Sequence, residues 1–376
     1  MFMEYLFFFL IFCILYAYFG YPLVLAIFSR SRGREGSQND FAGKHLPGVD
    51  FLIAAYNEEE VIGEKIENSL ALDYPVDRIS IAVVSDGSTD RTDGIVRGYG
   101  ARGVELIRVE GRAGKTVARN RAVARTGREI LVFSDANSMF EKDALARLVS
   151  HFVNNDVGAV SGNLRLLGEE GNENLYWRYE KTIKRYEDRF HSIIGANGSI
   201  YAVRRDLYKP LPPEVDDDFI EPLNAYAEGY RVGLDLDAVS TERDISTGDM
   251  ESEFRAKKRV VIRGMQSLAH VSGLLNPLQY PAMSFELISH KIFRWAVPFL
   301  LVAVLVLNAL MPITALYTFL LIGQIAFYAA AVIGILFRLR PFYIPAYFVS
   351  TNVAVLVAVF EYLIGRRSTT WEQNRG

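Results

Sequence analysis

Two kinds of hydrophobic pattern divide this chain of 376 residues. From Tyr5 to Ser29 there is no Asp, Glu, Lys or Arg, and about 20 apolar residues are enough for a helix to cross the hydrocarbon core of a bilayer. A second uncharged block runs from Trp295 to Phe337, long enough for two such helices with a turn over Asn308 to Pro312, and a third is expected from Pro341 to Tyr362. Between the blocks, short apolar runs alternate with segments of helical spacing. Strands are expected at Val49 to Ala55, Ile79 to Val84, Val104 to Val109 and Glu129 to Phe133. Helices are expected at Asn57 to Leu72, where Val61, Ile62, Ile66 and Leu70 share a face, and at about Lys115 to Arg125. Such alternation predicts an α/β domain with a largely parallel sheet.

The pattern sets the expected organisation: an anchor over 1–30, an α/β domain over 47–250, amphipathic interfacial helices over 251–293, C-terminal spans over 294–364 and a polar tail over 365–376. A cleaved leader fits the first block poorly, because Glu4 stands where a basic stretch belongs and the apolar run is too long. Arg30, Arg32 and Arg34 follow that block, so the positive-inside rule places the α/β domain in the cytosol of a multi-pass protein of the cell membrane. Arg338 and Arg340 agree with that orientation. A full third C-terminal crossing would put Arg366 and Arg367 outside, against the same rule. Two readings stay open: the last segment stops short of crossing, or the count of spans is off by one.

Charge narrows the function classes. With 41 basic and 44 acidic residues the net charge is −3, so no overall field favours nucleic acid, and none is expected as a partner. The single cysteine, Cys13, lies in the first apolar block, which excludes an internal disulfide framework or a cysteine metal site.

Ligands of open α/β sheets bind at the carboxyl ends of the strands. Tyr56-Asn57-Glu58, Asp86 and Asp135 all fall at such ends. Any one of them is a commonplace turn or cap. Three acidic groups gathered at three strand ends repel one another, and a bound cation or polar ligand is needed to hold them together.

At these residues the chain resembles the inverting family 2 glycosyltransferases, the large family of nucleotide-diphospho-sugar enzymes that includes cellulose, chitin and hyaluronan synthases. The likeness covers about 47–270 and extends to the flanking membrane segments. Ala55-Tyr56-Asn57-Glu58-Glu59 and Val84-Ser85-Asp86-Gly87-Ser88-Thr89-Asp90 resemble its first two strand-end motifs. They imply a GT-A-like fold with a nucleotide pocket at Ala55, Tyr56, Glu58 and Asp86. Gly114-Lys115, followed by Arg119-Asn120-Arg121-Ala122, resembles the segment that brings a lysine to the phosphates. Phe133-Ser134-Asp135-Ala136-Asn137 stands where the family carries Asp-x-Asp. The resemblance therefore implies Mg²⁺ or Mn²⁺ at Asp135 and Asn137, with Ser134 beside the nucleotide. Asn137 offers a carbonyl oxygen without a charge.

Val215-Asp216-Asp217-Asp218-Phe219 resembles the segment that carries the family's catalytic base, with Asp218 as the base and Asp217 beside it. Three adjacent carboxylates raise at least one pKa, which suits a base working near neutral pH. Gly195-Ala196-Asn197-Gly198-Ser199 resembles the acceptor-side loop. Where processive members carry Gln-x-x-Arg-Trp, this chain keeps only Arg259, with Ala256 and Val260 at the Gln and Trp positions. Arg259 is then a diphosphate ligand, and the missing tryptophan removes a stacking surface for a growing chain. Phe254, Val261, Met265 and Leu268 share one helical face opposite basic groups, the pattern of a helix lying on a membrane surface.

Together these readings imply transfer of a hexose or N-acetylhexosamine from a UDP-sugar to a glycan acceptor, in polysaccharide synthesis at a membrane. Two alternatives remain: transfer of a single sugar to a polyprenyl phosphate or other lipid, and a non-catalytic transport or scaffold subunit that keeps the fold.

Overall fold

The computed structural model describes residues 1–29, 46–167, 175–243 and 250–366. Arg30, Arg32, Arg34 and Arg367, on which part of the expected orientation rests, lie outside the described residues.

Helix α1 runs unbroken from Phe2 to Ser29, with one π turn at Tyr16–Gly20. The α/β domain follows as β1 (Val49–Ala55), α2 (Ile62–Leu70), β2 (Ile79–Asp86), α3 (Thr92–Gly98), β3 (Val104–Val109), α4 (Lys115–Val123), β4 (Ile130–Asp135), β5 (Met139–Phe140), α5 (Ala144–Ser150) and β6 (Val157–Leu167). It continues through α6 (Leu175–Phe190), β7 (Ile200–Arg204), α7 (Asp217–Ala227) and β8 (Arg231–Arg243). Helix α8 (Met250–His270) leads to three apolar helices, α9 (Pro281–Ala309), α10 (Ala315–Phe337) and α11 (Tyr343–Leu363).

The eight strands form one sheet in the order β3-β2-β1-β4-β7-β6-β8-β5. The β3 to β4 half is parallel, whereas β7 runs antiparallel to both of its neighbours. The sheet is therefore mixed, where the sequence pattern had led us to expect a largely parallel one; an antiparallel strand buried on both faces carries the same continuous apolar run as a parallel one. Every residue of β1 is buried. Phe51 and Ile53 pack on α2 and α5, and Leu52 packs on the opposite face with Ala118 and Ala122 of α4. Parallel register aligns Ala54 with Asp135 and Ala55 with Ser85, so β1, β2 and β4 end along one edge.

Two element boundaries differ from the sequence expectation. The helix expected from Asn57 begins at Ile62, because Asn57 takes a left-handed backbone (φ 53°) and its side chain accepts from the Thr89 N–H, tying the first loop to the second. The segment 281–293, expected to lie along the interface, is the start of α9 and runs into 294–309 as one helix. Pro281 occupies its first turn, where a missing N–H costs nothing.

Among the described residues four helices, Phe2–Ser29, Pro281–Ala309, Ala315–Phe337 and Arg340–Leu363 as bounded by their apolar stretches, are long and apolar enough to cross a membrane. Outward-facing Phe9, Phe12, Phe319, Ile322 and Phe337 are exposed, an apolar surface that suits lipid and not water. Helix α11 also lies alongside α8 in an antiparallel sense: Val355 and Ala358 pack on Val261 and Ile262, and Glu361 pairs with Lys258 at 3.0 Å. Helix α8 is itself fastened to the α/β domain, since Arg263 bonds Asp216 and the Ser267 hydroxyl accepts from the Asp216 N–H. The end of α11 is thus held next to the α/β domain, and the tail is expected on that domain's side of the membrane. Reporter fusions at Arg366, compared with fusions inside the α/β domain, test this; opposite-side signals would show a full crossing.

Candidate active site

Asp86 closes β2, and its two carboxylate oxygens accept the backbone N–H groups of Ala113 (2.9 Å) and Gly114 (2.8 Å). Gly114 holds a left-handed φ of 93° that opens α4. This places Lys115 on the first turn of α4, where its Nζ reaches the two oxygens of Asp135 at 2.6 and 2.8 Å. One helical turn on, Arg119 is 1% exposed and lies over the rings of Phe133 and Tyr201. It donates to Asp135 (3.1 Å), to the Gly198 carbonyl (2.8 Å) and to Asp217.

Arg119 separates the roles of the three adjacent aspartates. Asp216 is bound by Arg263 of α8. Asp217 is bound by Arg119 and accepts from the Tyr201 hydroxyl at 2.7 Å. Burial alone would raise Asp217, but Arg119, Lys115 and the Tyr201 bond outweigh it and bring its pKa to about 2. Asp218 makes no side-chain hydrogen bond or salt bridge among the described residues. Burial first, then the charges of Asp216 and Asp217, push it up to about 7 against the pull of Lys115 and Arg119.

A cavity of about 380 Å³ opens at Asp218. Of the residues expected at the site, Lys115, Asp217, Asp218 and Arg259 line it. Ala55, Tyr56, Glu58, Asp86, Ser134, Asp135 and Asn137 do not; they sit at or just beyond the ends of β1, β2 and β4. Tyr56 carries the Arg112 guanidinium 4.4 Å from its ring centre, Glu58 is buried with its N–H on Thr92, and Ser134 is buried within β4. The acceptor-side loop abuts the cavity, and a Cβ at Gly198 would stand 2.7 Å from the Asp218 carboxylate and 3.5 Å from Lys115 Nζ. Trp295 of α9 lines the wall beside Val260, so a tryptophan reaches this cavity from a different element than the one whose tryptophan is missing.

Two participants were missed from sequence, Tyr201 and Glu242, and Arg119 was noted only as part of a motif, with no role of its own. A buried arginine needs carboxylate partners, and its position four residues after Lys115 on one helix face was the available signal. Glu242 of β8 gave none. Its Oε1 is buried without a partner, and burial together with the Asp135 charge raises its pKa to about 7.

No group of three His, Cys, Asp or Glu side chains stands together as a metal cage among the described residues. Asp135, the Asn137 amide oxygen and the orphaned oxygen of Glu242 are hard donors, and Mg²⁺ commonly takes only one or two carboxylates, with substrate phosphates completing its shell. The donor set fits a divalent ion that arrives with a diphosphate.

Residues 50–211 match the family model described as Glycosyl transferase family 2. The match spans 162 of the chain's 376 residues, 50 to 211, and marks that region as a glycosyltransferase domain. It is 28% identical over 223 residues to the probable glycosyltransferase YdaM of Bacillus subtilis, an alignment covering 54% of this chain and 52% of that one. It is 34% identical over 140 residues to a beta-monoglucosyldiacylglycerol synthase of Synechocystis, covering 34% and 27%. The chain therefore spans about half the length of the first relative and about a quarter of the second. Among solved structures, the mannosyltransferase PcManGT of Pyrobaculum calidifontis, determined with GDP-Man and Mn²⁺, superposes with a TM-score of 0.72 at 24% identity, covering 94% of this chain and 98% of that one. The shared fold includes the apolar helices at both ends, and the fold is GT-A-like.

If Asp218 is the base of a transfer reaction, it acts only once deprotonated. With its pKa raised to about 7, kcat/KM is expected to climb with pH through neutrality and then level, falling about tenfold per unit on the acid side. A profile already flat at pH 5 would remove the assignment. Gly198→Ala is expected to lower turnover about tenfold or more by displacing the Asp218 carboxylate, with nucleotide affinity and melting temperature little changed. A fully active variant would show that the close contact is irrelevant to chemistry.

Proposed function

We propose that this chain is a membrane-anchored inverting glycosyltransferase that moves a hexose or N-acetylhexosamine from a UDP-sugar to a glycan acceptor, with its catalytic domain in the cytosol. The observation that carries the reading is Asp218: an unpaired carboxylate with raised pKa on a ligand-sized cavity, beside the Lys115–Asp135 pair.

The acceptor hydroxyl oxygen attacks the anomeric carbon from the face opposite the diphosphate. Its proton passes to Asp218, and the bond from the anomeric carbon to the diphosphate oxygen breaks with its electron pair leaving on UDP. Asp135 and Asn137, with Glu242 nearby, would hold Mg²⁺ or Mn²⁺, which when bound neutralises charge on the leaving diphosphate. Lys115 and Arg259 add positive charge for the same group. Ala55, Tyr56, Glu58 and Ser134 form the nucleotide side, and Asp86 serves it by fixing the loop that presents Lys115. Asp217, held by Arg119 and Tyr201, positions its neighbour Asp218.

The reading is tested by nucleotide release from purified protein with Mg²⁺ or Mn²⁺, offered UDP-glucose, UDP-N-acetylglucosamine or GDP-mannose in turn. The last donor is included because the solved neighbour carries GDP-Man. UDP release is expected, lost in Asp218→Asn with UDP binding retained, and metal-dependent UDP binding is expected to weaken in Asp135→Ala. Turnover by Asp218→Asn, or no nucleotide release with any donor, would overturn it. A lipid acceptor is the second reading, favoured by the cavity walls contributed by α8 and α9.

A further inference from the structure

Behind the turn that carries Asp135 and Asn137 lies a lysine to which the transfer mechanism gives no part. Lys65 of α2 is 0% exposed, and lysine is almost never fully buried without a partner for its charge. Its Nζ donates to the Ser138 carbonyl and lies over the rings of Phe140 and Phe51, 4.4 and 5.2 Å from their centres. Those two rings meet edge to face with centres 5.2 Å apart, an apolar seat that water does not reach.

The carbonyl it holds belongs to the turn itself. Ala136 and Asn137 form the corner, closed by the Ser138 N–H donating to the Asp135 carbonyl at 3.2 Å. Asn68, almost one helical turn beyond Lys65, donates to the Phe140 carbonyl at 2.8 Å and accepts the Phe140 N–H at 2.9 Å. Helix α2 therefore grips the chain at 138 and again at 140, on the exit from the turn. On the other side Met139 and Phe140 pair with Thr241 and Ser240 of β8, and the antiparallel register puts Ser138 next to Glu242. A neutral side chain such as Asn68 is enough to hold a strand. At Lys65 an ammonium stands instead. Burial pulls its pKa down to about 7, and the charges of Asp135 and Glu242 act to raise it. The clamp is thus electrically joined to the carboxylates it helps to place.

We propose that Lys65 is a positioning residue of the cation site: through the Ser138 carbonyl it holds the Asp135–Asn137 turn against β8, in the arrangement that receives a divalent ion together with a nucleoside diphosphate. This rests on the transferase reading and deepens its metal part. Two consequences of removing Lys65 have opposite signs. Loss of its charge relieves repulsion of an incoming cation and tightens metal binding. Loss of the clamp lets the turn drift from Glu242 and weakens it, and outer partners of metal ligands are commonly worth about 10- to 100-fold in metal affinity. The positioning role requires the second effect to win.

The test uses the full chain in nanodiscs of phosphatidylcholine, with Mn²⁺ binding in the presence of UDP followed by electron paramagnetic resonance. Lys65→Met, similar in length but without a donor, is expected to bind Mn²⁺ at least about tenfold more weakly. Its melting temperature without metal is expected to be unchanged or higher, since an apolar side chain in place of a buried charge is often neutral or stabilising. Lys65→Arg, which keeps a charged donor, is expected to restore most of the lost affinity. Lys65→Gln, uncharged and shorter by one bond, is a second loss variant and is expected to weaken binding in the same direction as Lys65→Met. Unchanged or tighter Mn²⁺ binding in the methionine or glutamine variant, or equal losses in the methionine and arginine variants, would overturn the proposal. Failure of the parent chain to bind Mn²⁺ with UDP would instead remove the cation reading itself, an outcome distinct from a parent that binds and a Lys65→Met variant that binds equally well.

Discussion

The site depends on one buried guanidinium. Arg119 reaches Asp135 at the end of β4, Asp217 at the start of α7 and the Gly198 carbonyl in the loop between α6 and β7. Breaking a buried pair by removing one partner costs about 3–5 kcal/mol, because the remaining charge is left without compensation. Three elements distant in sequence are therefore held in one geometry. Phe133 and Tyr201, stacked with ring centres 4.8 Å apart, form the apolar bed under the guanidinium and keep water from competing for it.

That pairing decides which of three adjacent carboxylates is available for chemistry. Crowding among Asp216, Asp217 and Asp218 does not by itself say which pKa rises, and the choice of Asp218 from sequence rested on the family resemblance alone. The answer is supplied by residues far along the chain: Arg119 stands 98 positions from Asp217, and Arg263 stands 47 from Asp216. Local pattern carried the rest well. Strands β1, β3 and the acid-bearing ends of β2 and β4 were legible because a buried strand reads as an apolar run closed by polar residues. The delayed start of α2 was not, since the cross-link from Asn57 to the second loop overrides helical spacing. Nor was Glu242, a lone acid on a long strand whose meaning comes only from its nearness to Asp135.

The membrane segments divide along the same line. Apolar length specifies a cost of transfer to lipid, and four helices meet it; packing specifies where they go. Helix α11 is as long as a span, yet it packs on α8 as well as on the apolar helices α9 and α10, so composition alone left its course undetermined. Where α1, α6 and α9 meet, the contact is polar instead: the Tyr21 hydroxyl bonds Glu187 at 2.8 Å, and His290 bridges Glu187 (2.6 Å) and Glu180 (3.2 Å). Apolar faces slide past one another at little cost, whereas directional hydrogen bonds between helices favour one register. It is this network that sets α9, and with it Lys291 and Trp295, against the catalytic domain.

Asp218 consequently stands between two groups of cations with different duties. On the donor side Lys115 and Arg119 are neutralised by carboxylates, so the resting site is nearly charge-balanced, and a diphosphate must bring its own counterion or displace those contacts. On the membrane side Lys184 and Lys291 make no salt bridge among the described residues, and the carboxylate charges that reach them are those of Asp218, Glu180 and Glu187. The same carboxylate whose ionisation burial disfavours makes no salt bridge among the described residues. A cation on either flank favours its charged form, so filling the donor site and filling the acceptor site act on Asp218 in the same direction: a diphosphate that draws Lys115 away raises its proton affinity, and closing the cavity around an acceptor removes water and raises it further. Both changes make Asp218 a stronger base at the moment the hydroxyl is in place.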